Sequence, residues 1–227
     1  MRAPNSHVRV TLATTLLAGL VLTGSTAAMG TAHADTRAAD AADFHPDASP
    51  LLKIAQKLPR VSSEQVLRLA QSQVGVSENY YGGGTKFHQW YMNSPRAQQT
   101  VARDGGSVYA YRNAAWCDMF VSWVGDQLGI RPTMGWDAYT VSHADWFKQN
   151  KRWGTRPAPG AVVFFGWDGG KDLHNIDHVG FVIKDNGDGT IKTVEGNTGN
   201  GKVEIRTRPT AEVVGYGYPV YADQLPA

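Results

Sequence analysis

The ten residues from Ala114 to Trp123, Ala-Ala-Trp-Cys-Asp-Met-Phe-Val-Ser-Trp, restrict the fold of this chain more than any other stretch. From Cys117 onward, Phe120, Val121, Val124 and Leu128 recur at the spacing of one helical face. Met119 and Trp123 lie off that face, so the predicted helix is apolar nearly all round and belongs at the centre of a domain. Gly129 supplies its stop. The sole cysteine of the chain stands at the front of this helix. In a first helical turn, the positive end of the macrodipole and the unpaired backbone N–H groups favour thiolate over thiol. The same N–H groups can hold the oxyanion of a tetrahedral intermediate. A free cysteine is more often just a small buried apolar residue, so the rest of the chain has to decide.

Arg2 and Arg9, the short apolar run from Thr11 to Val21, and Ala32-His33-Ala34 ahead of Asp35 predict a secretory signal over residues 1–34, cleaved near Ala34. That run is too short to span a bilayer comfortably, so an exported protein without membrane insertion is expected. Loss of the leader removes two arginines and no acid, which leaves 20 basic residues facing 20 acidic ones. A near-neutral domain without a Lys/Arg cluster argues against nucleic acid and against attachment to an anionic membrane surface. One cysteine precludes an internal disulfide, and a lone thiol outside the cell is an oxidation liability unless it is buried or at work.

Residues 35–60 read as a flexible lead-in carrying a short amphipathic helix. Ser49-Pro50 opens that helix, Leu51, Ile54, Ala55 and Leu58 form its apolar face, and Pro59 ends it. The domain proper is expected over 61–227. Ser62 and Gln65 form a capping box for a second helix, lined by Val66, Leu69, Ala70 and Val74 and closed by Gly75. Glu78 to Gly84 is a loop with aromatics and three glycines, in which a backbone can come close to a ligand. A further helix is predicted over Ser142–Lys151, capped by Ser142 with Asp145 at the third position, and with Lys148 and Lys151 near its negative end. The pattern then changes. Pro157-Ala158-Pro159-Gly160 is a turn before the apolar run Ala161–Phe165, and His178–Ile183 follows. Asp185-Asn186-Gly187-Asp188-Gly189 is a hairpin signal. Thr190–Glu195, Lys202–Thr207 and Val213–Val220 are three more strands. Helices first and an antiparallel strand set second make an α+β domain.

Two of these strands carry candidates for chemistry. His178 begins one, and Glu195 lies on the next. If the two pair through the Asp185–Gly189 hairpin, His178 and Glu195 fall at its open end. A carboxylate beside an imidazole orients the ring and stabilises its charged form. An imidazole beside a thiol completes a nucleophile–base–orienter set.

Trp-Cys-x-x-Phe-Val-Ser-Trp, Pro-x-Pro-Gly before an apolar strand, His-Val-Gly-Phe-Val and Val-Glu-Gly-Asn occur in that order between Ser62 and Val220. In this the chain resembles the CHAP family, the cysteine, histidine-dependent amidohydrolases/peptidases, papain-like enzymes that cut peptidoglycan. The resemblance implies Cys117 as nucleophile, His178 as base and Glu195 as orienting acid, with Asn197 sharing the role of that acid. It also implies a papain-like fold in which the cysteine helix packs on the antiparallel sheet with a groove between them. Peptidoglycan is the implied partner, cut at the muramoyl–alanine amide or within the stem or cross-bridge peptide. Asn79, Tyr80 and Tyr81 are candidate groove residues from their loop position, and Trp116 and His174 complete the expected substrate-binding set. Ala161 stands where the family often has an aspartate. The stretch from Arg103 to Gly106 has too few carboxylates for the calcium loop of some relatives, so neither a metal nor another cofactor is expected. A monomer, secreted and associated with the cell wall, is the expected form.

Two other readings compete. Cys117, His174 and His178 could ligate a metal through a His-x3-His spacing, although a fourth ligand is not evident. Alternatively, the chain is a non-catalytic wall-binding module that keeps the papain-like shape, a reading that leaves an intact Cys/His/Glu set without purpose.

Overall fold

In the computed structural model, residues 49–225 are described. The predicted signal over 1–34 and the stretch 35–48 of the lead-in lie outside the described residues. The helical half holds α1 (Leu51–Ala55), α2 (Ser63–Gln71), α3 (Lys86–Met92), α4 (Pro95–Asp104), a 3-10 segment over Val108–Asn113, α5 (Cys117–Gln127), α6 (Arg131–Met134) and α7 (Thr140–Gln149). The strands are β1 (Trp153–Gly154), β2 (Val162–Phe165), β3 (His178–Asp185), β4 (Thr190–Thr198), β5 (Lys202–Pro209) and β6 (Val213–Gly217). They form one antiparallel sheet in the order β1-β6-β2-β3-β4-β5, so the α+β class is observed. None of the helices among the described residues is long and apolar enough to cross a membrane.

The helix predicted to be central is central. Every residue of α5 from Cys117 to Gly125 is buried, and the helix lies against β3 and β4. Phe120 meets Phe181 of β3 edge-on at 6.2 Å, and Phe87 of α3 stacks on Trp116 at 5.4 Å from the other side. Gly196 permits this contact between helix and sheet, because a Cβ there would come within 2.7 Å of Phe120 Cβ and 2.9 Å of the Trp116 ring. Alternation along the strands then separates two apolar layers. Val179, Phe181 and Val194 join the α5 core, while Val163, Phe165, Val182 and Ile191 form a second cluster.

Several boundaries differ from expectation. The capping box is present, with the Ser62 hydroxyl accepting from Gln65 N–H and the Gln65 side chain accepting from Ser62 N–H. That helix nevertheless ends at Gln71, and Val74 is exposed beyond it while Leu67 is buried in its place. α7 begins at Thr140 rather than at a Ser142 cap, because Asp137 Oδ1 takes the N–H groups of Ala138 and Tyr139 just upstream. α3, α4 and the two-residue β1 have no counterpart in the sequence reading. Proline, polar residues and short lengths hide their periodicity. The described part of the lead-in is held in place. The Ser49 hydroxyl donates to Asn150 O at 2.8 Å, and Leu51 and Ala55 pack with Val220, while Ile54 faces solvent.

Candidate active site

The site is assembled where α5 begins and where β3 begins. The 3-10 segment over Val108–Asn113 leads the chain toward Cys117, and the Glu78–Gly84 loop is pressed against it. A Cβ at Gly83 would collide with the Arg112 carbonyl and the Asn113 side chain, so glycine is required for this close approach. His88 Nε2 lies 3.1 Å from Ala114 O and steadies the same entry. Trp116 precedes the helix in a non-helical conformation and provides no side-chain cap. The backbone N–H groups at this helix start are therefore left for another acceptor, and the first one taken up is that of Phe120, by Trp116 O. Cys117 is the first helical residue, 5% exposed.

His178 starts β3, paired with Phe165 of β2. Its ring is held on both sides. Nε2–H donates to Glu195 Oε2 at 3.0 Å, and the Cys117 side chain acts on the ring as well. Trp167 stacks on the imidazole at 5.6 Å and remains about half exposed, so it forms the solvent-side wall of the pair. Burial works against a charge on His178. The hydrogen bonds and charges of Cys117 and Glu195 outweigh it and hold the pKa at about 9.

Glu195 is fully buried and bears four hydrogen bonds. Oε2 accepts from His178 and from Arg208 Nη2 at 2.7 Å, while Oε1 accepts from Arg208 Nε at 3.0 Å and from the Thr193 hydroxyl at 2.6 Å. Burial alone would raise this carboxyl. The bonds from His178 and Arg208 prevail, with the His178 charge and the Thr193 hydroxyl behind them, and hold its pKa at about 2. A backbone feature lets the acid cross the strands. A Cβ at Gly180 would come within 2.7 Å of Glu195 Cγ, so glycine leaves the lane along which Glu195 reaches His178.

Thus His178 and Glu195 are brought together as the hairpin argument required, with Cys117 acting on the same ring, and the other expected residues are distributed differently. Asn197 sits at the β4 irregularity with a φ of 54°, and of the two residues Glu195 is the one that bonds the imidazole. Trp116 is wholly buried, stacked on Phe87 and donating Nε1–H to Glu78 Oε2 at 2.9 Å, so it supports the helix start instead of facing a substrate. Asn79 shapes its own loop, its Oδ1 accepting from Tyr81 and Gly83 N–H. Tyr80 and Tyr81 pack edge-on at 5.4 Å and are strongly exposed. His174 is exposed and bonded to Asp172, away from any shared contact with His178. With His178 Nε2 committed to Glu195, the three residues of the metal reading do not form a ligand set, and among the described residues no group of three or more His, Cys, Asp or Glu is placed to hold an ion.

Sequence reasoning missed Arg208, Thr193 and Trp167. A buried acid calls for a cation, but nothing local names which one. Arg208 lies just past the predicted end of its strand. A separate cavity of about 680 Å³, lined by Trp153, Lys171, Asp185 and Tyr216 among others, contains none of the three central residues. Concavity points there, but the chemistry does not.

The family model of the CHAP domain matches residues 108–197. The matched segment contains Cys117, His178, Glu195 and Asn197 and stops before Arg208. Comparison with curated proteins and with solved structures finds no match.

Proposed function

We propose that this chain, with a CHAP domain over residues 108–197, is a secreted cysteine amidohydrolase or peptidase that hydrolyses amide bonds of bacterial cell-wall peptidoglycan. The observation that carries the reading is the His178–Glu195 hydrogen bond, with Cys117, at the front of a buried helix, acting on the same imidazole. Cys117 Sγ attacks the amide carbonyl carbon, and the developing oxyanion is received by the uncapped N–H groups at the start of α5. His178 holds the thiol proton and delivers it to the departing amine as the C–N bond breaks, leaving a thioester on Cys117. It then takes a proton from water, whose oxygen displaces the thiolate. Glu195 keeps the ring oriented through both steps.

The surface supports a polymeric partner. Tyr80, Tyr81, Tyr109, Tyr139 and Trp167 are exposed, and each lies on a segment tied to the site. Tyr109 is on the 3-10 segment that leads to Cys117. Tyr139 precedes Thr140, whose hydroxyl donates to Ile176 O just before His178. Tyr and Trp side chains, with an apolar body and a polar handle, suit contact with a polymer that is part apolar and part polar. The predicted leader supports export to the compartment where the polymer lies.

The test is hydrolysis of purified cell-wall polymer by the mature protein and by Cys117→Ala, with free amines and reducing ends assayed separately. Amine release lost in the variant supports the reading, and fragment masses then name the bond. Equal release by the two proteins would remove Cys117 from the mechanism. Binding without release by either would point to a wall-binding module.

A further inference from the structure

We propose that Arg208 is a positioning residue of this site, clamping Glu195 so that Oε2 is presented to His178 and extending the triad to Cys117–His178–Glu195–Arg208. The inference rests on the proposed cysteine chemistry, and it concerns a residue outside the matched family segment.

The geometry is that of a fork. Arg208 Nε and Nη2 meet one oxygen each of the Glu195 carboxylate, at 3.0 and 2.7 Å. Two parallel bonds fix the plane of a carboxylate, whereas a single bond leaves it free to rotate. The remaining positions on the carboxylate are taken by His178 and Thr193, so the acid has one orientation that satisfies every partner. The register shows that this is a long reach. On β5 the residue opposite Glu195 is Glu204, while Arg208 stands opposite Ile191. Arg208 spans the gap with its full side-chain length and is itself held. Nη2 also donates to the Thr198 hydroxyl at 3.0 Å, and the guanidinium lies 5.0 Å from the centre of the Trp167 ring. Trp167 in turn stacks on His178, so Arg208, Glu195, His178 and Trp167 form a closed ring of contacts around the imidazole.

The charged groups around Glu195 are few. His178 faces it from β3 and Arg208 from β5, where Glu204, opposite it in the register, is paired with Arg206; Thr193 is its neutral neighbour on β4, and Cys117 of α5 acts on it through His178. Arg208 also feels Glu204 and Glu212. Removal of Arg208 leaves His178, among the described residues, as the cation bonded to this buried carboxylate. Glu195 should then bind a proton at higher pH, and a protonated acid accepts poorly from the imidazole.

The experiment compares the mature protein with Arg208→Met and Arg208→Lys in two assays. One is hydrolysis of cell-wall polymer. The other is the rate of Cys117 alkylation by iodoacetamide as a function of pH, which needs no substrate. Arg208→Met should lower kcat by roughly 10- to 100-fold with KM little changed, and should move the acid limb of alkylation up by about one pH unit. Arg208→Lys keeps the charge but not the fork, so the acid limb should return while part of the kcat loss remains. An acid limb that stays in place in folded Arg208→Met would overturn the proposal, as would an Arg208→Lys with the full wild-type rate. If Arg208→Met does not fold, by circular dichroism, the Arg208→Lys comparison decides. A wild-type protein that alkylates normally but does not act on the polymer would defeat the substrate reading and leave the clamp to be judged by the alkylation profiles.

Discussion

Two buried histidine–carboxylate pairs lie close together in the chain, and only one of them faces a nucleophile. His178 bonds Glu195 at 3.0 Å, and His143 of α7 bonds Asp118, the residue after Cys117, at 2.7 Å. The second pair is the more enclosed. His143 and Asp118 are fully buried, and His143 stacks on Phe147 at 5.2 Å. Its Nε2 lies 2.8 Å from Met134 O, so both ring nitrogens face acceptors. Such a ring holds its protons and offers no lone pair to a substrate. Burial raises the Asp118 carboxyl, and against its own burial His143 is raised by Asp118 and the Met134 carbonyl, so the shared proton stays with the pair. In His178 the carboxylate occupies one nitrogen and the cysteine side chain acts on the same ring. A carboxylate beside an imidazole therefore does not mark a reactive histidine. The other group acting on the ring does.

The contrast can be broken at Cys117 with the largest effect. Cys117→Ala should reduce amine release from cell-wall polymer by about 10⁴-fold or more, while chemical denaturation shows stability nearly unchanged. Asp118→Ala, one residue later, should give the opposite signature. It leaves His143 without its buried partner and should cost about 3–5 kcal/mol in urea unfolding. If the two substitutions had the same signature, the division of labour between the pairs would be lost.

The pH dependence sharpens the comparison. With its folded pKa at about 9 against an ordinary 6.5, His178 contributes stability that is complete below about pH 6.5 and lost as pH rises through about 9. Glu195, at about 2 against 4.5, contributes stability that is complete above about pH 4.5 and lost as pH falls through about 2. Unfolding followed against pH should show a plateau between these limits. In Cys117→Ala the alkaline edge should move to lower pH, because one of the groups that raise His178 is gone. An NMR titration of the imidazole measures this directly, and an unmoved His178 would break the link to Cys117. The smallest effect is expected at Trp167. Trp167→Ala opens the solvent-side wall of the His178–Glu195 bond and should lower hydrolysis by only about 3- to 10-fold, because it touches the ring without bonding it. A loss as large as that of Cys117→Ala would make Trp167 part of the chemistry.

Local patterns carried the legible part of the site. The apolar periodicity after Cys117 located a central helix, and the Asp-Gly turn at 185–189 joined the two strands that bring His178 and Glu195 into reach. Trp116 was misplaced because its neighbour is the nucleophile, yet its indole turns back to Glu78 and the core. Adjacent residues on a helix face directions about 100° apart, which also sends Asp118 inward while Cys117 meets His178. Asn197 stands on the strand of Glu195, but the irregularity after Glu195 puts it in a left-handed turn. None of these outcomes can be read from spacing alone.

The amino-acid order by itself determined the α+β class, the buried helix, the cysteine at its front and the hairpin that pairs base with acid. Each depends on hydrophobic period, capping and turn chemistry within a few neighbouring residues. Only the tertiary structure decided that Arg208 and Thr193 hold Glu195, that Trp167 covers His178, and that His143 and Asp118 close on each other out of reach of a substrate. Those choices belong to the low dielectric of the interior. A buried charge there takes whichever partner the packing brings within 3 Å, and distance along the chain has no part in the selection.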